Sequence, residues 1–324
     1  MKLVVFSICK DEEKTIGKLL DRIPKKITGI DAIETLVVSD GSTDETAKKA
    51  REHGASIVIE GMQQKRLAYR FQEAVEIALA AGADVVVNID GDLQFAPEDI
   101  PVLLKPILQD DYDFVAADRF TDPITGERRK PDGMPGAKYW ANRLGAWIVG
   151  SLSGERFHDV TCGFRAYTKK AMLAININSN YTYTQESFQI MAVKKMNITA
   201  VPIAVKYYPG RKSRVVRSFW QFLFGSALNI IRAFRDYAPL KFFGLLGLLA
   251  FIPGATLSLF IALHWARTGN ITPYKAFGFI GAYLLTTALI IWIVGIVADM
   301  LDRMLNNQEK ILEEIKKERF KSET

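Results

Sequence analysis

Short apolar runs alternate with amphipathic stretches along the first 205 residues of the chain. Residues 3–8 and 35–39 are apolar runs with the length of buried strands, and residues 12–22 between them place apolar side chains on one helical face. Further strands are predicted within residues 56–59, 83–94, 114–117, 162–167 and 198–205, and further helices within residues 44–52, 66–81, from 97, 139–152 and 184–195. This alternation predicts an α/β domain with a Rossmann-like, mostly parallel sheet and helices on both faces.

The strand within residues 83–94 leads directly into a group of carboxylates. Four buried-type apolar positions are followed by Asp90, Gly91 and Asp92. In open α/β sheets, ligands bind at the carboxyl ends of the strands. Two carboxylates on either side of a glycine can hold a hard divalent cation, whose counter-anion would be a diphosphate. An Asp-Gly turn that merely ends a strand is the alternative.

The composition changes abruptly near residue 240. Residues 242–263 and 276–298 contain no charged side chain. At 1.5 Å per residue each run reaches about 33 Å, enough to cross a hydrocarbon core about 30 Å thick. Two helices of a soluble core would rarely both be so long without a charge, so the sequence predicts a transmembrane hairpin. Basic residues cluster before the first run and are sparse in the connecting loop, which predicts that both ends lie in the cytoplasm.

Two further segments flank the hairpin. Residues 211–240 mix bulky apolar side chains with arginines, a pattern typical of a helix in the bilayer interface, although a helix that packs between domain and spans is the alternative. Residues 301–324 alternate in charge and predict a solvated tail helix. The predicted organisation is therefore a cytoplasmic domain at 1–210, the juxtamembrane segment, the spans at 241–300, and the tail.

The net charge and the cysteine content limit the partners and the cellular compartment expected for the protein. The 324 residues are 49% apolar and 24% charged, which excludes disorder. A net charge of +6 would suit nucleic acid or an anionic membrane, and its concentration beside the apolar runs favours the membrane, with no nucleic-acid partner. Cys9 and Cys162 form neither a disulfide framework nor a zinc site, which fits a reducing compartment. The first eight residues lack the pattern of a signal peptide, so the first domain is expected in the cytoplasm.

A series of motifs in order resembles the inverting family 2 glycosyltransferases with a GT-A fold. The resemblance is closest to the polyisoprenyl-phosphate glycosyltransferases, which include the dolichyl-phosphate mannose and glucose synthases. The motifs are residues 10–13 (Lys-Asp-Glu-Glu), 39–44 (Ser-Asp-Gly-Ser-Thr-Asp), 90–94 (Asp-Gly-Asp-Leu-Gln), 159–165 (Asp-Val-Thr-Cys-Gly-Phe-Arg), 183–186 (Tyr-Thr-Gln-Glu) and 210–214 (Gly-Arg-Lys-Ser-Arg). Together with the apolar hairpin, they extend the resemblance over nearly the whole chain.

The resemblance implies roles for particular residues. By that match, Asp90, Asp92 and Gln94 bind Mg²⁺ or Mn²⁺ and the diphosphate. Glu12, Asp40 and Gly91 would contribute with them to the nucleotide-sugar pocket, and Asp92 and Glu186 are the candidate catalytic residues. For Glu186 the alternative is an acid that only stabilises a helix N-terminus. Lys10 and Ser39 depart from the family pattern, so the resemblance does not identify the nucleotide base. Residues 63–70 lack the usual glycine-rich segment, so it does not identify the sugar either.

The acceptor phosphate is expected where the domain meets the bilayer, because a polyisoprenyl phosphate keeps its head at the membrane surface. We therefore predict a phosphate site at Arg211, Ser213 and Arg214, helped by Arg119 and Lys138 from a polar, mobile loop at residues 119–138. An arginine fork can bind two phosphate oxygens and a hydroxyl a third. A basic patch that only attracts anionic lipid is the alternative.

The apolar hairpin predicts a multi-pass cell-membrane protein. The resemblance implies an enzyme that moves a hexosyl or N-acetylhexosaminyl group from a nucleotide-diphosphate sugar to dolichyl or undecaprenyl phosphate, with inversion. The acceptor phosphate has a second pKa of about 6, so the reaction needs no strong general base. A polysaccharide synthase, a transferase with a non-lipid acceptor and a non-enzymatic membrane adaptor are the alternatives. A polysaccharide synthase would be expected to carry a Gln-x-x-Arg-Trp motif and more apolar helices, and this sequence has neither. The intact carboxylate motif argues against a membrane adaptor. A homo-oligomer is left open.

Overall fold

The computed structural model describes residues 1–153, 156–177, 183–207, 231, 234–235 and 238–321. The chain divides into two compact units, one comprising Met1–Arg217 with Glu313–Thr324 and the other Ser218–Leu312. The first unit therefore contains the predicted α/β domain together with the end of the tail. The second contains the two apolar runs.

A seven-stranded sheet forms the centre of the first unit. Its strands are β1 (Lys2–Cys9), β2 (Ala32–Asp40), β3 (Ile57–Gly61), β4 (Val85–Asn88), β5 (Phe114–Asp118), β6 (Arg165–Thr168) and β7 (Ile198–Pro202). They lie in the order β3-β2-β1-β4-β6-β5-β7. Strand β6 is antiparallel to both of its neighbours, and the other pairings are parallel. The predicted mostly parallel sheet is confirmed.

Helices cover both faces of this sheet. They are α1 (Ile16–Arg22), α2 (Thr46–Glu52), α3 (Leu67–Ala80), a 3₁₀ turn (Pro97–Asp99) followed by α4 (Ile100–Gln109), α5 (Gly136–Ser153), α6 (Lys169–Ala174) and α7 (Thr184–Val193). Alternate residues of β1 enter two separate cores, because side chains along a strand point to opposite faces. Val4 and Phe6 join the core that contains Phe71 of α3. Leu3 and Val5 join the core that contains Leu19 of α1.

Several predicted element boundaries differ from the structure. The first helix begins at Ile16 rather than at residue 12, because the preceding residues form a turn that binds the loop after β2. Residues 162–164 precede β6 rather than belonging to it. Lys138 lies on α5 and not in the loop. Helix α6 was not predicted; Thr168 caps its N-terminus by accepting a hydrogen bond from the backbone N–H of Ala171.

The second unit contains the helix α8 (Pro239–Thr268) and, up to Leu312, the helix α9 (Lys275–Arg319). Both are long and apolar enough to cross a membrane, judged by length and composition. Gly254 and Gly281 bring their backbones close together: a Cβ added to Gly254 would lie 3.2 Å from the Gly281 carbonyl oxygen. Small residues at a contact between apolar helices are typical of helices that pair in a membrane. The predicted tail helix is continuous with the second of these helices.

Candidate functional site

The Asp90–Asp92 turn stands at the carboxyl end of β4, in the middle of the sheet. Both carboxylates are half-buried. The backbone N–H of Gln94 donates to Asp92 Oδ1 at 3.0 Å, and Leu93 adopts a left-handed conformation with φ of 59°. The turn is therefore closed by Asp92 itself, while Asp90 follows the strand directly.

Glycine is required at two positions around these carboxylates. A Cβ on Gly91 would lie 2.5 Å from the sulfur of Cys9, and a Cβ on Gly163 would lie 2.8 Å from Asp90 Oδ2. Both distances are too short for real contacts. Asn88 holds Gly163 close to Asp90, because the side-chain amide of Asn88 donates to the Gly163 carbonyl at 2.8 Å. The predicted motif at 159–165 therefore lies against the predicted carboxylate motif.

The electrostatics of the carboxylate pair favour a cation. Burial and the negative charge of Asp92 raise the pKa of Asp90 to about 7, although Arg119 and Arg165 act in the opposite direction. Two close carboxylates are the oxygen ligands that Mg²⁺ and Mn²⁺ prefer. Within the described part of the chain, no group of three or more His, Cys, Asp or Glu side chains is placed to hold a metal. The two carboxylates thus fit a divalent ion, which would need further ligands from groups other than these side chains.

The segments predicted to line the nucleotide pocket are joined to each other. The backbone N–H of Glu12 donates to Thr46 Oγ1 at 2.8 Å, and that of Glu13 donates to Asp44 Oδ2 at 3.1 Å. The backbone N–H of Thr43 donates to Asp11 Oδ1 at 2.8 Å. The loops after β1 and β2 therefore form one surface at the same sheet edge.

Asp40 forms a buried ion pair that was not predicted. Arg70 on α3 donates from Nε to Asp40 Oδ1 at 2.9 Å, and the backbone N–H of Lys65 donates to the same oxygen at 2.7 Å. Gly61 makes room for the guanidinium, because a Cβ there would overlap it at 1.8 Å. Arg70 lies among apolar side chains on the buried face of α3, and a charge at such a position was the available signal.

Arg119, one of the predicted phosphate ligands, is held by Asp159 in a buried two-point ion pair. Its Nε and one terminal nitrogen donate to the two carboxylate oxygens at 2.6 and 2.8 Å. Although burial opposes ionisation, Arg119 holds the pKa of Asp159 below its usual range. Arg119 also donates to Thr161 Oγ1 at 2.7 Å and to the Tyr207 hydroxyl at 3.3 Å. The Arg119 guanidinium therefore binds mainly other protein groups. Tyr207 is a candidate site residue that was not predicted from the sequence.

Lys138 completes this cluster. Its Nζ lies 5.5 Å from the centre of the Tyr207 ring. Burial and the nearby Arg119 guanidinium lower the pKa of Lys138, while Asp159 and Asp92 act in the opposite direction. The structure thus brings Arg119 and Lys138 together near the carboxylate motif. The other predicted phosphate ligands, Arg211, Ser213 and Arg214, lie outside the described residues.

Glu186 occupies the first turn of α7 and is half-buried. Tyr183, just before this helix, accepts a hydrogen bond from Asn88 and stacks on Phe71 with ring centres 3.9 Å apart. Arg165, in the motif at 159–165, is fully buried and donates to the Val160 and Cys162 carbonyls, so it supports the loop from inside the protein.

A mostly parallel sheet with this carboxylate motif at the carboxyl end of its central strand is the arrangement found in the GT-A nucleotide-sugar transferases. The chain belongs to glycosyl transferase family 2, because the sequence pattern of that family matches residues 4–175. The predicted family and fold class are confirmed. The chain is therefore a glycosyltransferase.

Relatives cover most of the chain. It is 28% identical over 286 residues to Glycosyltransferase AglJ of Haloferax volcanii, a match that spans 86% of this chain and 88% of the relative. It is 32% identical to the Dolichyl-phosphate hexose transferase of the same organism over 62% of this chain and 81% of the relative. The Dodecaprenyl-phosphate galacturonate synthase of Rhizobium johnstonii is 23% identical over 90% of this chain and 85% of its own.

A solved structure shares the fold. Glucosyl-3-phosphoglycerate synthase from Mycobacterium tuberculosis, in complex with Mn²⁺, uridine diphosphate and glucosyl-3-phosphoglycerate, superposes with a TM-score of 0.52 at 20% identity. The match covers 73% of this chain and 79% of that chain. At this level of identity the likeness shows the fold.

Proposed function

We propose that the protein transfers a sugar from a nucleotide-diphosphate sugar to a polyisoprenyl phosphate, forming a lipid-linked sugar at a membrane. The observation that carries the proposal is that the segment before β6 contacts Asp90 through Gly163 and Arg119 through Asp159, while Lys138 lies beside the Tyr207 ring whose hydroxyl Arg119 contacts. Asp90 and Asp92 supply negative charge for a cation on the donor side, and Lys138 supplies positive charge for an anionic acceptor, beside the Arg119–Asp159 pair. The names of the dolichyl-phosphate and dodecaprenyl-phosphate relatives support the lipid acceptor.

The chemistry follows from these groups. An oxygen of the acceptor phosphate attacks the anomeric carbon from the side opposite the diphosphate, so the new C–O bond forms as the bond to the nucleoside diphosphate breaks, with inversion. The acceptor is already a dianion near neutral pH, so no proton has to be removed. A divalent cation held by Asp90, Asp92 and Gln94 would stabilise the leaving diphosphate as a Lewis acid. Glu12, Asp40 and Gly91 are proposed for the nucleotide sugar, and Glu186 for the acceptor side.

The membrane setting is supported by two features. The chain contains two helices with the length and composition of membrane spans. In the other unit, α5 exposes Trp140, Leu144 and Trp147 at helical spacing, and the two tryptophans are 68% and 67% exposed. Tryptophan side chains are enriched at membrane–water interfaces. A multi-pass protein with a cytoplasmic catalytic unit remains the proposed topology.

The decisive experiment is transfer with purified full-length protein. Labelled nucleotide sugars are incubated with polyprenyl phosphate and Mg²⁺ or Mn²⁺, and the label is then extracted with lipid. We expect Asp92→Asn and chelation each to lower transfer at least about 100-fold, a barrier increase of about 2.7 kcal/mol. Asp110→Asn, at an exposed carboxylate, is the matched control. Transfer that survives both treatments contradicts the metal-dependent mechanism, and label found only on water-soluble products contradicts the lipid acceptor.

The proposed phosphate ligands at 211–214 can be tested with variants that change their hydrogen-bonding groups without removing positive charge. Arg211→Lys keeps the charge but loses the two-point fork, and Ser213→Ala removes a hydroxyl. A specific phosphate site should lose acceptor affinity or turnover while nucleotide-sugar binding is retained. A basic patch that merely attracts lipid should be insensitive to both changes and sensitive to salt. Unchanged acceptor kinetics in the double variant would place the phosphate elsewhere.

A further inference from the structure

The C-terminal end of α9 is built into the first unit. From Glu313 onward, the chain belongs to the same compact unit as Met1–Arg217. Lys316 is only 7% exposed, and its ammonium donates to the Ile175 carbonyl at 2.7 Å. Phe320, four residues later, packs against the core that contains Phe71. A solvated tail was expected, so these last turns differ from the prediction.

Two lysines converge on the end of α6. Lys194 donates to the Ala174 carbonyl at 2.9 Å, beside the contact between Lys316 and Ile175. The last carbonyls of a helix lack partners within the helix and carry partial negative charge, so an ammonium is favourable there. Glu313 balances the charge, because its carboxylate accepts from Lys194 at 3.0 Å. Burying an ammonium group costs free energy unless the group is paired. The hydrogen bond from Lys316 to the Ile175 carbonyl is therefore a specific contact.

One of these contacts, the ion pair between Lys194 and Glu313, supports α7, the helix that carries Glu186. Lys194 follows the last residue of α7, so its ion pair with Glu313 fixes the C-terminal end of that helix. At the other end, Tyr183 is fixed by Asn88 and Phe71. Helix α7 is therefore supported by the core at its N-terminus and by the tail at its C-terminus.

We propose that the end of α9, through Lys316 and Glu313, is a positioning element for α7 and thereby for Glu186. Neither residue is placed at the candidate site, so both act through the helix. The inference rests on the proposed acceptor-side role of Glu186. It gives the final helix a function in catalysis that is separate from membrane attachment.

The test compares Lys316→Met, which keeps the volume but removes the ammonium, with Lys321→Met at an exposed lysine nearby. Lys316→Arg keeps a donor for the Ile175 carbonyl. Full-length protein is used throughout. Hydrogen exchange is followed in peptides covering residues 183–193 and, as an internal reference, residues 67–80. Steady-state kinetics give kcat and the KM for the nucleotide sugar separately.

In Lys316→Met we expect at least tenfold faster exchange in residues 183–193, unchanged exchange in residues 67–80, and about tenfold lower kcat with the KM for nucleotide sugar within twofold. Lys321→Met should match the unmodified protein, and Lys316→Arg should recover most of the loss. Unchanged exchange in residues 183–193 overturns the proposal. So does unchanged kcat despite faster exchange, and so does higher activity, which would indicate an inhibitory tail.

A general loss of stability is distinguished by exchange that accelerates equally in residues 67–80, and that outcome also overturns the proposal. Exchange does not depend on knowing the substrate. If the unmodified protein makes no lipid-linked sugar, the proposed function fails while the exchange result still decides whether Lys316 supports α7.

Discussion

The carboxylate of Asp90 lies directly against the backbone of Gly163, with no space for a side chain between them. The two residues are far apart in sequence and meet because β4 and β6 are neighbours in the sheet. The glycine after Cys162 therefore determines how closely the loop before β6 approaches the carboxylate motif.

Gly163→Ala should displace the Asp90 carboxylate and lower kcat by about tenfold or more, because a tenfold loss corresponds to only about 1.4 kcal/mol of the barrier. The measurement is sugar transfer with the folded state checked by circular dichroism. Gly136→Ala is the control, since a Cβ at that position meets no atom within 4 Å. Activity equal to that of the unmodified protein would show that the close approach has no catalytic importance.

Breaking the buried ion pair between Arg119 and Asp159 should be costly for stability. Arg119→Met leaves a buried carboxylate without its partner, which typically costs about 3–5 kcal/mol. Combining it with Asp159→Leu removes both charges and should recover part of the loss. Thermal unfolding of purified protein measures the effect, with Lys105→Met at an exposed lysine as control. An unfolding temperature for Arg119→Met equal to that of the control would contradict the prediction.

The lowered pKa of Lys138 predicts that activity with polyprenyl phosphate falls at alkaline pH. Burial and Arg119 lower its pKa, so its charge is lost at a lower pH than that of an ordinary lysine, whose pKa is about 10.4. If it binds the acceptor phosphate, kcat/KM for polyprenyl phosphate should fall as pH rises through this lowered pKa, since kcat/KM reports ionisation of the free enzyme.

In Lys138→Arg the charge persists, so the fall should move to higher pH. Lys130→Arg, in the exposed loop before α5, serves as the control and should leave the profile unchanged. An identical alkaline limb in Lys138→Arg would remove Lys138 from the acceptor site.

The topology can be tested by cysteine labelling. Both native cysteines are buried and have a pKa of about 12 because of that burial, so their background reactivity should be low. Asn270→Cys, between α8 and α9, should react with an impermeant reagent added outside intact cells. Met62→Cys, at a fully exposed position in the first unit, should react only after the cells are opened. The reverse pattern would overturn the predicted orientation.

The sequence alone determined the elements that depend on local patterns. Apolar runs identified β1 and β4 because buried parallel strands are apolar at nearly every position. Asp90 and Asp92 were recognisable because they follow such a run directly. The two long apolar helices were evident because a membrane requires an uncharged stretch of defined length.

Tertiary structure alone decided the features that depend on which strands are neighbours. The reversed direction of β6 brings Gly163 to Asp90, and nothing local to either residue encodes that pairing. Arg119 was assigned to a polar loop and Asp159 to a separate motif, and the pairing of β5 with β6 places the two residues side by side. Lys316 had the charge pattern of a solvated helix. Its burial follows from a contact with Ile175, 141 residues away, and a side chain's partners at that separation are determined by the folded chain rather than by its neighbours in sequence.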